Sequence, residues 1–192
     1  MDLSDPTAFA LAVTDVLRRE GIEHALYGGL LLAAYGEARE TKDADVAVVR
    51  ADATATATLL EGGLGIRCLV AFDRQAFGGL TVSRITLIDA DELNSLDLVE
   101  PVEAAYAQRA LERASTATLR DQEIRVLSPE DFVIFKVLST RELDLKDAAS
   151  VVRSLGSALD VEQIEGEIAV LAGALPLHPV RERWERIRSG RS

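Results

Sequence analysis

The sequence predicts an α/β fold, a mixed sheet flanked by helices, with a mainly helical C-terminal region. Three observations carry this prediction. Short apolar runs rich in β-branched residues alternate with helix-period stretches over residues 1–100. Past residue 100 the pattern is helical except for one alternating segment. Glycine or proline stands at most of the breaks. The expected division is a core domain over 1–100 and a helical region over 101–192 packed on it.

Taken in order, Ser4-Asp5-Pro6 opens a helix with a capping residue and a proline at its first position. Phe9, Leu11, Val13, Val16 and Leu17 give that helix an apolar face as far as about Glu20, and Gly21 ends it. His24 to Tyr27 reads as a short strand, and Gly28-Gly29 lets the backbone turn into an apolar helix over Leu30 to Tyr35. Ala44 to Val49, with three valines, is a second strand. Asp52 caps a helix reaching about Glu61, which Gly62-Gly63 is expected to stop. Ile66 to Ala71 and Thr81 to Ile88 suit an antiparallel pair around a loop containing Asp73, Arg74, Gly78 and Gly79. Ala90 to Asn94 reads as a loop and Ser95 to Val99 as a further strand. After the break at Pro101 come a helix over Val102 to Glu112, a small hairpin within Ser115 to Val126, and a serine-capped helix over Pro129 to Ser139. Leu143 to Leu155, Val161 to Leu171 and Pro179 to Ser189 are helical, the last anchored by Trp184 and Ile187.

Composition sets bounds on function. With 192 residues, 48% apolar and 28% charged, the chain can build one sizeable core. No apolar run approaches a membrane span, and Met1-Asp2-Leu3-Ser4-Asp5 lacks the character of a secretory leader, so the expectation is a cytoplasmic protein with no membrane partner. One cysteine, Cys68, excludes an intrachain disulfide and a cysteine-based zinc site, and it reads as buried filler. His24 and His178 are far apart, which argues against a histidine metal site. The net charge of −11 works against non-specific attraction to a polyanion and favours a small-molecule or protein acceptor over RNA. Arg181, Arg183, Arg186, Arg188 and Arg191 crowd the C-terminus. They read as a solvated helix face paired with Glu182 and Glu185, or alternatively as a contact for an RNA acceptor.

The chemistry concentrates between Ala25 and Val49. A helix that starts just after a glycine pair presents free N–H groups to an anion, so Gly28 and Gly29 suit a phosphate. Residues two apart in a strand share a face, so Asp43 and Asp45 project together. Paired carboxylates raise each other's pKa unless a cation neutralises them. Mg²⁺, which typically uses one or two carboxylates plus substrate phosphates, is the expected ion. Phosphate cradle and metal carboxylates together form the equipment of phosphoryl or nucleotidyl transfer.

The order Gly28-Gly29, then Arg39, Thr41, Asp43 and Asp45 at alternate positions, then an apolar strand, resembles the nucleotidyltransferase superfamily that includes DNA polymerase beta, the aminoglycoside and lincosamide nucleotidyltransferases and the abortive-infection toxins. The resemblance implies that Gly28 and Gly29 hold triphosphate, with Arg39 and Thr41 beside it, and that Asp43 and Asp45 bind Mg²⁺. A third carboxylate from a later strand falls on Asp97 in Ser95-Leu96-Asp97-Leu98-Val99, with Asp89 and Asp91 as nearby rivals. Leu30 leaves no hydroxyl after the glycine pair. The passage Ser128 to Ala148 resembles the helical region of the abortive-infection proteins, which implies that Lys136 and Arg141 contact nucleotide while Asp144 and Asp147 position it or brace the site floor. The implied reaction is Mg²⁺-dependent transfer of a nucleoside monophosphate from a nucleoside triphosphate to an acceptor hydroxyl on a small molecule, a tRNA or a protein. A second reading keeps the fold without catalysis, as a binding protein in, for instance, a toxin–antitoxin pair.

Overall fold

A computed structural model of the chain describes residues 2–190. Its elements are α1 (Pro6–Arg19), β1 (His24–Tyr27), α2 (Gly28–Tyr35), β2 (Ala44–Val48), α3 (Ala53–Leu64), β3 (Arg67–Phe77), β4 (Leu80–Asp89), β5 (Glu92–Pro101), α4 (Ala104–Glu112), β6 (Ser115–Leu119), β7 (Gln122–Val126), α5 (Pro129–Leu138), α6 (Glu142–Leu155), a 3₁₀ turn at Gly156–Ala158, α7 (Val161–Ala174) and α8 (Val180–Arg188). The strands form one mixed sheet in the order β3-β4-β5-β2-β1-β7-β6. β3, β4 and β5 make an antiparallel meander, β5 runs parallel to β2, and β2 runs antiparallel to β1. The α/β class expected from the sequence is the observed one.

Local chemistry explains where elements start and stop. The Asp5 carboxylate accepts from the N–H groups of Thr7 and Ala8 at 3.0 and 3.1 Å, with Pro6 filling a position whose N–H has no helical partner anyway. The helix α3 does not stop at Gly62-Gly63. It continues to Leu64 and closes at Gly65, which takes the left-handed conformation at φ +69°. Gly63 has a packing role instead: a Cβ there would lie 2.8 Å from Val16 of α1.

The β3–β4 connection is also tighter than the sequence suggested. Asp73 to Phe77 belong to β3, which is bulged between Val70 and Gln75, and the turn is confined to Gly78-Gly79. Likewise β5 begins at Glu92, so the loop expected over Ala90 to Asn94 reduces to Ala90-Asp91, with Ala90 at φ 50°. The β6–β7 hairpin joins the main sheet, since β7 pairs in parallel with β1.

The core continues past the sheet into α5, where every residue from Asp131 to Leu138 is buried. Helix α6 packs on α5, and α7 and α8 close over them, with Trp184 and Ile187 buried as expected. The C-terminal arginines pair differently from the expectation. Arg186 meets Glu142 at 2.8 Å and Arg188 meets Glu165, while Arg183 turns inward and donates to the Val137 carbonyl at 2.9 Å, because α8 lies with its arginines against α6 and α7. Arg191 lies outside the described residues. Cys68 is buried, and burial pushes its thiol up to about 11, away from nucleophilic use. Among the described residues no helix is long and apolar enough to cross a membrane.

Candidate active site

Strand register assembles a row of four side chains across the middle of the sheet. Asp97 of β5 lies opposite Asp45 of β2, Asp45 lies opposite Tyr27 of β1, and on the other side Asp97 lies opposite Arg84 of β4. Register partners on neighbouring strands share a face. All four accordingly line one cavity of about 180 Å³, whose walls include Phe72 and Phe77 from β3 and Ser139, Arg141 and Asp144 at the junction of α5 and α6. Asp43 precedes β2 and remains more exposed; its carboxylate accepts from the Thr41 hydroxyl at 3.2 Å. Asp89 and Asp91 sit at the β4–β5 turn, a strand's length from this row. Of the three candidates, Asp97 is the one brought beside Asp45.

The glycine pair does more than turn the chain. Gly28 has φ +74°, and a Cβ there would fall 1.9 Å from the Asp45 carboxylate, while a Cβ on Gly29 would fall 2.7 Å from the Thr41 side chain. Both positions must therefore be glycine for Asp45 and Thr41 to stand against the start of α2. That start places the N-terminal end of α2, which favours an anion, beside the Asp45 carboxylate.

The segment between α2 and β2 is held down at several points. Asn94 donates to the carbonyls of Lys42 and Leu3, both at 2.8 Å, and the Glu37 N–H donates to the Ser150 hydroxyl at 3.3 Å. Arg39 points to α6, where it donates to both Asp147 oxygens at 3.3 and 3.2 Å.

Lys136 is placed differently from the expectation that it touches nucleotide. It is 1% exposed, with Nζ 2.7 Å from Asp144 and 3.0 Å from Asp147, and it lies over the rings of Tyr27 and Phe132. A helix buried on all sides leaves its lysine no route to solvent, so Lys136 neutralises the carboxylates of α6 from beneath the site. Arg141, with its side chain 62% exposed, donates to both Asp144 oxygens at 2.7 and 3.1 Å and does line the cavity. Burial works to raise the Asp144 pKa, but the Lys136 charge and the hydrogen bonds from Arg141, Lys136 and Ser139 outweigh it, leaving this carboxyl below its usual value.

Asp45 behaves in the opposite way. Burial, then the neighbouring charges of Asp97 and Asp43, push it up to about 7 against the partial relief of Lys136 and Arg141. Asp97 has a partner of its own. Both of its oxygens accept from Arg84, Nε and one Nη at 2.7 Å each, and the same guanidinium reaches Asp43 at 3.5 Å.

Arg84 is the site residue that sequence reading passed over. Its signal was the β4–β5 hairpin: a two-residue turn at Ala90-Asp91 fixes Arg84 opposite Asp97, and reading Ala90 to Asn94 as a loop hid that register. The donor chemistry, carboxylate oxygen only, fits a hard divalent cation held by Asp43, Asp45 and Asp97. In the arrangement observed, no three acidic, histidine or cysteine side chains among the described residues stand close enough together to ligate one ion. Arg84 holds Asp97 by a hydrogen bond to each oxygen in this arrangement. A larger cleft of about 600 Å³, bounded by α1 and β7 and including His24, lies apart from this row.

A helix opened by glycines stands against an Asp-x-Asp strand, with a third aspartate on the adjacent parallel strand, the arrangement that the resemblance to nucleotidyltransferases leads one to expect. The sequence agrees: the model of the family described as "Nucleotidyl transferase of unknown function (DUF2204)" matches residues 8–174, and the chain belongs to that family. Solved structures share the fold. An antigenic nucleotidyltransferase-like protein from Paracoccidioides brasiliensis is 19% identical with a TM-score of 0.50, each chain covered over 88%. ANT(2″)-Ia, solved in complex with adenylyl-2″-tobramycin, is 15% identical with a TM-score of 0.52, over 93% of this chain and 98% of that one. JHP933 from Helicobacter pylori is 12% identical with a TM-score of 0.50, over 97% of this chain and 90% of that one. No curated protein sequence matches the chain.

Proposed function

We propose that the protein is a Mg²⁺-dependent nucleotidyltransferase that moves a nucleoside monophosphate from a nucleoside triphosphate to an acceptor hydroxyl. The observation that carries this reading is the alignment of Asp45 and Asp97 in one register row beneath a glycine-opened helix start. When bound at Asp43, Asp45 and Asp97, Mg²⁺ would neutralise these carboxylates and withdraw charge from the reacting phosphate. Gly28 and Gly29 would offer backbone N–H groups to the triphosphate. Asp97 would take the acceptor's proton as its oxygen attacks the α-phosphorus, the α–β phosphoanhydride bond breaks, and pyrophosphate leaves. Arg141, on the cavity wall, would offset phosphate charge. Lys136 and Arg39 would act one layer back, through Asp144 and Asp147.

The acceptor class is supported less directly. ANT(2″)-Ia, of similar fold, is solved with adenylyl-2″-tobramycin, and the net charge of −11 works against a polyanionic acceptor, so a hydroxylated small molecule or a protein side chain suits this chain better than a tRNA. One observation favours the second reading, a nucleotide- or partner-binding protein without catalysis: Arg84 occupies both oxygens of Asp97. Calorimetric titration of each of the four triphosphates with Mg²⁺ separates the two. Metal-dependent binding that disappears in the Asp43→Ala, Asp45→Ala double variant supports the enzyme. Absence of binding by every triphosphate overturns it.

A further inference from the structure

We propose that Arg84 is a built-in counter-cation that competes with a divalent metal ion for Asp97 and Asp43, so that the closed Arg84 pair holds down the affinity of the site for the ion. The proposal rests on the nucleotidyltransferase reading of the same residues.

Placement is the first argument. Arg84 reaches Asp97 because β4 and β5 set the two residues directly opposite, and its guanidinium is backed by the Phe72 ring at 5.7 Å. The pair is a two-point fork to a buried carboxylate, which is a stronger and more directional contact than an exposed ion pair.

Charge is the second. Three carboxylates meet here, and Arg84 is the cation that ion-pairs with two of them, while the nearby Lys136 is committed to Asp144 and Asp147. Within the described residues no hydrogen bond or ion pair engages the Asp45 carboxylate. The site therefore has one acceptor group in waiting and a second held by Arg84.

Stereochemistry is the third. Each Asp97 oxygen accepts one hydrogen bond from Arg84 and keeps a second lone pair, but an ion taking it while the fork is closed would stand close to the guanidinium charge. Cation binding at Asp97 and Asp43 thus opposes the Arg84 charge, and either the repulsion or the free energy of opening the fork is subtracted from the affinity of the ion.

The alternative is that Arg84 simply supports Asp97, in which case its removal would disorder the site and weaken metal binding. The sign of the effect decides between them. Mn²⁺ binding, without nucleotide, is measured by electron paramagnetic resonance on the full chain as wild type, Arg84→Met, Arg84→Lys and Arg84→Met with Asp45→Asn. Loss of a charge-assisted fork should tighten Mn²⁺ binding by Arg84→Met at least about tenfold. Arg84→Lys, which keeps the charge but not the fork, should fall between, and Asp45→Asn should remove the gain. Mn²⁺ should also raise the melting temperature of Arg84→Met more than that of wild type. If Arg84→Met does not fold, Arg84→Lys carries the same sign test. Equal or weaker Mn²⁺ binding by folded variants, with wild type still binding through Asp45, overturns the Arg84 proposal alone. Failure of every protein to bind Mn²⁺, with or without a triphosphate, overturns the nucleotidyltransferase reading as well.

Discussion

Gly28 shows how a single missing side chain shapes the site. A methyl group there would occupy the space of the Asp45 carboxylate, and the positive φ would strain any L-residue. Gly28→Ala should cost about 1–2 kcal/mol of stability from the backbone alone and abolish Mg²⁺-dependent triphosphate binding, as read by thermal melting and calorimetry on one preparation. Asp144 makes a second prediction. Its carboxyl titrates below the usual carboxylate range, so its contribution to stability is complete above the unfolded-state value and is lost as pH falls through the lower folded-state value. Asp144→Asn should destabilise the protein by about 3 kcal/mol at pH 7. The gap to wild type should narrow below about pH 4. A gap that stays constant with pH would contradict the ion-pair account.

Much of this residue scale was legible in the sequence. Asp43, Asp45, Gly28 and Gly29 declare themselves by spacing, because strand alternation and the glycine's freedom are local rules. Lys136 and Arg39 could be identified as belonging to the site region, but the partner expected for both was the nucleotide. What holds them is Asp144 and Asp147, on a helix whose position depends on tertiary packing, and no local rule foretells which carboxylate a buried lysine meets.

Among the elements, the β4–β5 hairpin has the largest consequence for the site. Its turn places Ala90 at φ 50°, a conformation that disfavours a Cβ, and its register puts Arg84 on Asp97. Ala90→Gly should therefore stabilise the protein by about 0.5–1 kcal/mol, measured by chemical denaturation, without change in Mn²⁺ affinity. Loss of stability would mean that the turn geometry is wrong. The hairpin also shows why element ends were harder to read than element types. Asp89, Asp91 and Asn94 are turn-forming residues by composition, yet Asn94 is used inside a strand because its side chain ties Lys42 and Leu3 in place. Gly62-Gly63 misled in the same way: Gly63 allows the close approach of α1, and the stop falls at Gly65.

At the level of the whole molecule, the two sides of residue 100 share one core. β7 joins the sheet beside β1, and Tyr27 packs against Phe132 and Phe135 of α5 with ring centroids 5.4 and 5.2 Å apart. A fragment of residues 1–100 should then lack a cooperative thermal transition by circular dichroism, because it leaves the apolar face of β1 and the Asp45 surroundings without cover. A cooperative transition would show that the core stands without α5. The helical region in this account is the floor and wall of the site: it supplies Arg141 and Asp144 to the cavity and the lysine beneath them.

The most direct test follows the label of a triphosphate. Wild type and Asp97→Asn are incubated with Mg²⁺ and triphosphates labelled at either the α- or the γ-phosphate, in the presence of small-molecule, RNA and protein fractions of a cell extract. Nucleotidyl transfer predicts that the α-label appears on an acceptor in one fraction, that the γ-label is recovered in pyrophosphate, and that both are lost in Asp97→Asn while triphosphate binding remains. Label entering an acceptor from the γ-position, or no transfer from any triphosphate by the wild-type protein, would contradict it.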